Sequence, residues 1–240
     1  MKLQIFRPLI SKKISQPFGE NKACIHNTTG KIFGTTSKCP SDSQSFYKSL
    51  GMEGHSGIDI PAIVGEDVYH AATYPGWILT EIDNMGGIGV DVVSNEPLFF
   101  AMPIPTELIN SAVPVEGGFT HYVKMRYHHL SKAIGHDKKQ VTVGTVVGLA
   151  GNTGASSGAH LHFAPKWCLP DGRGVGQGNG YYGAFDPRPY YNHEVLAADH
   201  AKYMNTPVVP LSTVEQKDVL AQLSVAKQVL LALQKLIHNV

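Results

Sequence analysis

Gly151-Asn152-Thr153-Gly154-Ala155-Ser156-Ser157-Gly158-Ala159-His160-Leu161-His162-Phe163 passes from a glycine-rich run into an alternating His-Leu-His-Phe run. In a β-strand, residues i and i+2 share a face. His160 and His162 therefore look into one pocket, with Leu161 turned the other way into a core. A metal held there can take one imidazole and leave its neighbour free. The glycines and small polar residues ahead of the histidines make a tight, exposed loop whose backbone other atoms can approach closely.

Two more segments belong with this one. His55-Ser56-Gly57-Ile58-Asp59 lies about a hundred residues earlier, and Tyr127-His128-His129-Leu130-Ser131 falls between. One carboxylate and several imidazoles on β-rich segments suit a catalytic zinc site, which takes three protein ligands and leaves a fourth position open. A helical His-Glu-x-x-His motif does not occur, so the glutamate-base logic of that class does not apply. Residues 58–62 and 65–72 read as strand, turn and strand. Residues 77–82, 88–93, 122–127 and 141–143 read as further strands, rich in β-branched and aromatic residues and separated by glycines. The expected fold is mainly β: an antiparallel sheet with an open metal-bearing groove, long loop insertions, and a C-terminal α-helix.

In this order the motifs resemble the M23 zinc metallopeptidases, the LytM/lysostaphin-type endopeptidases of the bacterial cell wall. Gly54-His55-x-x-x-Asp59, Tyr127-x-His129-Leu130-Ser131, Gly151-Asn152-Thr153-Gly154 and His160-x-His162-Phe163 carry the resemblance, and Ile14-Ser15-Gln16-Pro17-Phe18-Gly19 resembles the start of the domain. The resemblance covers roughly residues 14–190. It implies His55, Asp59 and His162 as ligands of one zinc ion per chain, and His129 and His160 as two unliganded histidines beside it. It implies hydrolysis of peptide bonds in peptidoglycan stems or cross-bridges. The chemistry agrees: zinc makes water a nucleophile near neutral pH, an imidazole titrates in the same range and can shuttle the proton, and a second can steady the oxyanion. The rival readings are a non-catalytic or latent zinc module, such as a phage structural component or a hydrolase regulator, and a zinc peptidase acting on soluble proteins.

The remaining histidines read differently. His26, His70, His121, His136, His193, His200 and His238 are expected to be surface or hydrogen-bonded core residues. Strand alternation puts His128 on the face opposite His129, and the family pattern favours His129 as the active one.

A formal net charge of +1 without a long basic run argues against a nucleic-acid partner and against electrostatic capture by an anionic wall. Affinity must come from the groove. Residues 1–13 hold no apolar run of signal-peptide length. An enzyme of the cell wall starting this way is expected to leave the cell by lysis or in a virion, as a phage-encoded protein does, or to have lost its signal. Cys24 and Cys39 bracket a polar stretch; a disulfide, two reduced thiols, or a poor second metal site with His26 all fit. Cys168 is the odd one out.

Residues 1–13 read as a lead-in, 14–198 as the zinc peptidase domain, and 199–240 as a helical extension. Three insertions, 20–50, 94–121 and 165–183, are expected to wall the substrate groove. In the tail, Ser212-Thr213-Val214-Glu215 is a capping box. Val219, Leu223, Ala226, Leu230, Leu233 and Ile237 then form a heptad-like stripe on a helix over 212–238. Its lysines and glutamines rule out a membrane span. The helix packs on its own domain or serves self-association or docking.

Overall fold

A computed structural model describes residues 1–35 and 38–205. The helix expected over 212–238, with its proposed docking role, lies outside the described residues. So does His238.

The molecule is built on an antiparallel sheet. Its main path uses β1 (Ile58–Pro61), β2 (Gly76–Ile82), β3 (Ile88–Ser94), β4 (Gly118–Leu130), β5 (Gln140–Val141) and β6 (His160–Cys168), in the order β5-β2-β3-β4-β6-β1. Strands Leu98–Phe100 and Val113–Val115 pair with the first residues of β4. Alternation divides the faces. Ile58, Ile60, Val92, Met125, Tyr127, Leu161 and Phe163 are fully buried on one side, each contributing roughly 1.5–3 kcal/mol by leaving water. The opposite side carries Asp59, Asp91, Lys124, Arg126, His128 and His162, paired across the strands by register. This side is polar around the metal donors and the ion pairs beside them, and farther along it carries a small buried apolar cluster of Trp77, Val93 and Cys168.

Two smaller sheets close the core. Ile5–Arg7 runs parallel to Tyr191–Leu196, and Val146–Leu149 pairs with both Asp67–Tyr69 and Lys132–Ala133. Beneath them the Tyr127 hydroxyl accepts from Ala71 N at 2.8 Å and meets His70 Nδ1 at 3.0 Å. His70 Nε2 donates to Tyr74 O at 3.0 Å, and burial lowers its pKa to about 4. His70 is thus a hydrogen-bonded core histidine, as expected. His121 is another, held by Tyr122 O and Ser111 Oγ.

Several boundaries differ from the sequence reading. Of 141–143 only Val141 lies in a strand, Gln140–Val141, because the chain turns at Gly144, whose φ is +81°, before Val146–Leu149 begins. Gly148 and Leu149, which precede the glycine-rich run, belong to that strand. The third insertion starts after Cys168 rather than at 165, since β6 keeps its pairing with Val123 and Tyr122 through Trp167 and Cys168.

The first insertion is ordered rather than merely polar. Ala23–His26 pairs with Ile32–Gly34 and Ser43–Ser45, and the short helix Phe46–Ser49 follows. Phe46, Tyr47 and Met52 form its small buried cluster. Cys24 and Cys39 are disulfide-bonded, closing a loop worth about 3 kcal/mol in the chain-entropy model. That excludes the alternative metal site with His26, whose Nδ1 instead accepts from Thr28 N and Thr29 N. Cys168 is buried and free. No described helix is long and apolar enough to cross a membrane.

Candidate metal centre

His55 precedes β1, Asp59 lies in β1 and His162 in β6. Asp59 and His162 are direct cross-strand partners, so their side chains leave the sheet on one face. His55 Nε2 lies 2.8 Å from His162 Nδ1 and 3.0 Å from Asp59 Oδ1, and His162 Nδ1 lies 3.2 Å from the same oxygen. These three are the one group of potential metal-binding donors found among the described residues. A tetrahedral zinc with bonds of roughly 2.0–2.1 Å spaces its ligands by about 3.3 Å, close to the separations here. His55 Nδ1 meets Pro17 O at 3.3 Å. A donor bond there leaves Nε2 as the free lone pair, the outer-shell arrangement a ligating histidine needs.

The electrostatics suit a cation. Burial lowers the pKa of His162 to about 3, keeping the ring neutral and able to donate a lone pair. Burial alone would raise Asp59, but its close contacts with the His162 and His55 imidazoles outweigh it and hold the carboxyl well below its usual range. Two imidazoles and one carboxylate form the donor set that zinc takes.

Gly57 permits this packing. A Cβ there would stand 2.7 Å from Phe163 O and 2.9 Å from His162 Cε1. Glycine is thus required where His162 crosses the chain before β1.

His160 and His129 complete the ring of imidazoles. His160 Nε2 lies 3.6 Å from Asp59 Oδ1, and its Nδ1 donates to Gly158 O at 2.8 Å. His129 Nδ1 donates to Thr153 O at 2.7 Å, and its ring centroid lies 4.7 Å from that of His160. Each ring has its Nδ1 proton committed to a carbonyl, which leaves Nε2 unprotonated in the neutral form. Burial first, with His128 and His160 adding to it, lowers the pKa of His129 to about 4.

A β-bulge sets His129. Tyr127 pairs with Val90 but Leu130 pairs with Ile88, so three steps on β4 meet two on β3. His129 takes up the extra residue in a left-handed conformation, φ +63°, which costs a non-glycine residue roughly 1–3 kcal/mol and marks functional positions. The glycine-rich loop clasps the bulge. Thr153 Oγ1 donates to Leu130 O at 2.7 Å and accepts from Ile88 N at 3.0 Å.

The bulge corrects the alternation argument for His128. Both His128 and His129 line the same groove, their ring centroids 4.8 Å apart. His128 Nε2 bonds to Asp83 Oδ2 at 2.9 Å, while its buried Nδ1 has no hydrogen-bond partner among the described residues. Asp83 in turn accepts from Met85 N and Gly87 N in the β2–β3 turn.

The groove has a volume of about 420 Å³. The first insertion supplies one wall, with Phe33, Phe46, Tyr47 and Leu50; the third contributes Tyr182, and β6 contributes Lys166. Residues 94–121 do not line it, because they pair with the far end of β4. Tyr47 is a wall residue that the sequence reading missed. Its hydroxyl accepts from Gln16 Nε2 at 2.7 Å, its ring stands 5.7 Å from His55, and burial, helped by Asp59, raises its pKa. Gln16 sits inside the quoted N-terminal motif, whereas nothing in the sequence marked Tyr47.

No family model matches the chain, and no curated protein matches it. Solved structures do. One is the catalytic domain of the antimicrobial peptidase lysostaphin from Staphylococcus simulans, at 22% identity over 57% of this chain and 79% of that one, with a TM-score of 0.38. Another is a zinc-containing peptidase from Vibrio cholerae, at 20% identity over 76% of this chain and 37% of that one, with a TM-score of 0.41. A third is the catalytic domain of a prophage-encoded M23 protein from Enterococcus faecalis, at 21% identity over 51% of this chain and 75% of that one, with a TM-score of 0.35. The last of these carries the M23 name. The roles of the site residues rest on this chain's own geometry.

Proposed function

We propose that this chain is a zinc-dependent endopeptidase that hydrolyses peptide bonds in bacterial peptidoglycan. The observation that carries the reading is the pairing of a three-donor cluster with two imidazoles beside it, each with its Nδ1 held by a backbone carbonyl. A purely structural zinc site closes its coordination with protein ligands and has no use for such a pair.

His55, Asp59 and His162 would hold the ion. Zinc bound there would supply a Lewis acid that polarises the scissile carbonyl and activates water. His129, kept neutral by burial, accepts the proton from the attacking water at Nε2 and returns it to the leaving amine. Thr153 O holds the ring in the tautomer this requires. His160 Nε2 can steady an oxyanion only when that ring is protonated, because its Nδ1 proton is already given to Gly158 O. The disulfide-closed first insertion positions the peptide over the sheet.

The test is clearing of purified peptidoglycan of two cross-link types, with released amines counted. Wild-type protein, His160→Ala protein and a chelator control are compared, with casein as the soluble-protein alternative. Clearing by wild type alone supports the reading. No clearing of either wall with one zinc bound per chain refutes it, and casein cleavage alone moves the activity to soluble proteins.

A further inference from the structure

The polar face of the sheet continues past the metal centre as a row of cations. Arg126 stands directly across from Ala164, two residues along β6 from His162, and Lys124 directly across from Lys166, two residues further. Arg126 is answered by Asp91, at 2.9 and 3.0 Å, and by Glu81. Lys124 is answered by Asp91 at 2.7 Å. Lys166 differs. It lines the groove together with Arg126 and His128 and is half-buried. Its ammonium has no hydrogen bond or ion pair among the described residues.

We propose that Lys166, with the Arg126 guanidinium beside it, forms a subsite for a free carboxylate on the peptide substrate, bound along the groove floor from the metal centre.

Three considerations support it. An ammonium drawn out of water is costly unless an anion answers it, and here the neighbouring acids are already committed. Asp91 is shared between Lys124 and Arg126, and Glu81 pairs with Arg126. The local balance around Lys166 is therefore cationic, and its pKa is lowered to about 8, by burial first and then by Arg126. A bound carboxylate removes that imbalance and takes charge-assisted hydrogen bonds from Lys166 Nζ. The place is also within reach of a substrate lying in the groove. Lys166 is four residues beyond His162 on one strand, about 13 Å at 3.3 Å per residue. An extended peptide, at roughly 3.3–3.6 Å per residue, carries an acid there about four residues from the bond presented at the metal centre. The subsite rests on the endopeptidase reading and narrows it: stem peptides with free acids would be favoured over all-glycine bridges.

The experiment uses the zinc-loaded full chain and soluble stem peptides in two forms, with side-chain and terminal carboxylates free or converted to carboxamides. Equilibrium binding and cleavage are measured separately for wild type, Lys166→Met and Lys166→Arg. The wild type should bind the acid form about tenfold more tightly than the amide. Lys166→Met should bring that ratio close to one, and Lys166→Arg should keep most of it. Equal binding of the two forms by wild type, no binding of either, or an unchanged ratio in Lys166→Met overturns the subsite. Acid-selective binding without cleavage would sustain the subsite and refute the hydrolase. Cleavage without acid preference would do the reverse.

Discussion

Gly151→Ala should cripple catalysis while leaving the metal donors in place. A Cβ at Gly151 would stand 2.6 Å from Leu130 C and 2.8 Å from His129 O, and nearer still to Ser131 N. All three are backbone atoms, so no side chain can swing aside. Ordinary contact begins near 3.4 Å, so the glycine-rich loop and the bulge of β4 must separate by roughly 1 Å. Overpacking of this kind costs about 1–3 kcal/mol, a Tm drop on the order of 2–12 °C for a domain this size. The cost in rate is larger. The displaced segment carries Thr153 O, which holds His129, and about 1 Å of misplacement costs on the order of 100-fold. The assay is kcat/KM on a peptide substrate, with zinc stoichiometry and Tm measured on the same preparation. Zinc should stay at one per chain, because none of His55, Asp59 and His162 touches the contact. Placing Gly151→Ala in a His129→Ala background should add little further loss, since the positioned residue is already gone. Wild-type kcat/KM with an unchanged Tm would refute the reasoning.

His129→Ala should lower turnover by roughly 10²–10⁴-fold, the usual worth of a general base, with zinc still bound; full activity would remove the role. Asp59→Asn or His162→Ala should lose the metal itself, and retention of one zinc per chain by elemental analysis would show that the ligands are misassigned. Reduction of Cys24–Cys39, or Cys24→Ser, should loosen the first insertion by up to about 3 kcal/mol and raise KM with zinc content unchanged; an unmoved KM would mean that this wall does not hold substrate. The preference for acidic over amidated peptides should be full below pH 7 and fade as pH rises through about 8, where Lys166 gives up its proton. Among its charged neighbours Arg126 and Lys124 favour that loss, and Asp91 and Glu81 oppose it. A preference constant to pH 10 would contradict the assignment.

The sheet was legible because strand composition is a local signal. Strands over 76–82, 88–94 and 118–130 are rich in β-branched and aromatic residues, although 89–94 are buried on both faces rather than alternately. The first insertion was not legible. Its order depends on a disulfide whose pairing the sequence left open, and on a cluster of Phe46, Tyr47 and Met52 too small to show as periodicity. Its strands of three and four residues are shorter than the pattern needed to recognise them.

At the site, sequence spacing sufficed wherever the strand was regular. His160 and His162 share β6, and Asp59 answers His162 across a plain antiparallel pair. Spacing failed at His128 and His129, where one extra residue in β4 breaks the alternation. The left-handed turn at His129 is an unfavourable conformation for that residue. It persists because Thr153 bonds both Leu130 O and Ile88 N, and because Gly151 lets the loop lie against the bulge. The glycine-rich segment is therefore shaped to receive its own neighbouring strand, and the close approach expected there is an internal one. The Gly-Asn-Thr-Gly and Tyr-x-His-Leu-Ser motifs, separate in sequence, form one device: the first holds the second in a strained shape that turns His129 toward the metal donors. The cations farther along the floor escaped notice for the opposite reason. Arg126, Lys124 and Lys166 sit at ordinary alternating positions, and only the distribution of their acidic partners shows that one of them is left without an anion.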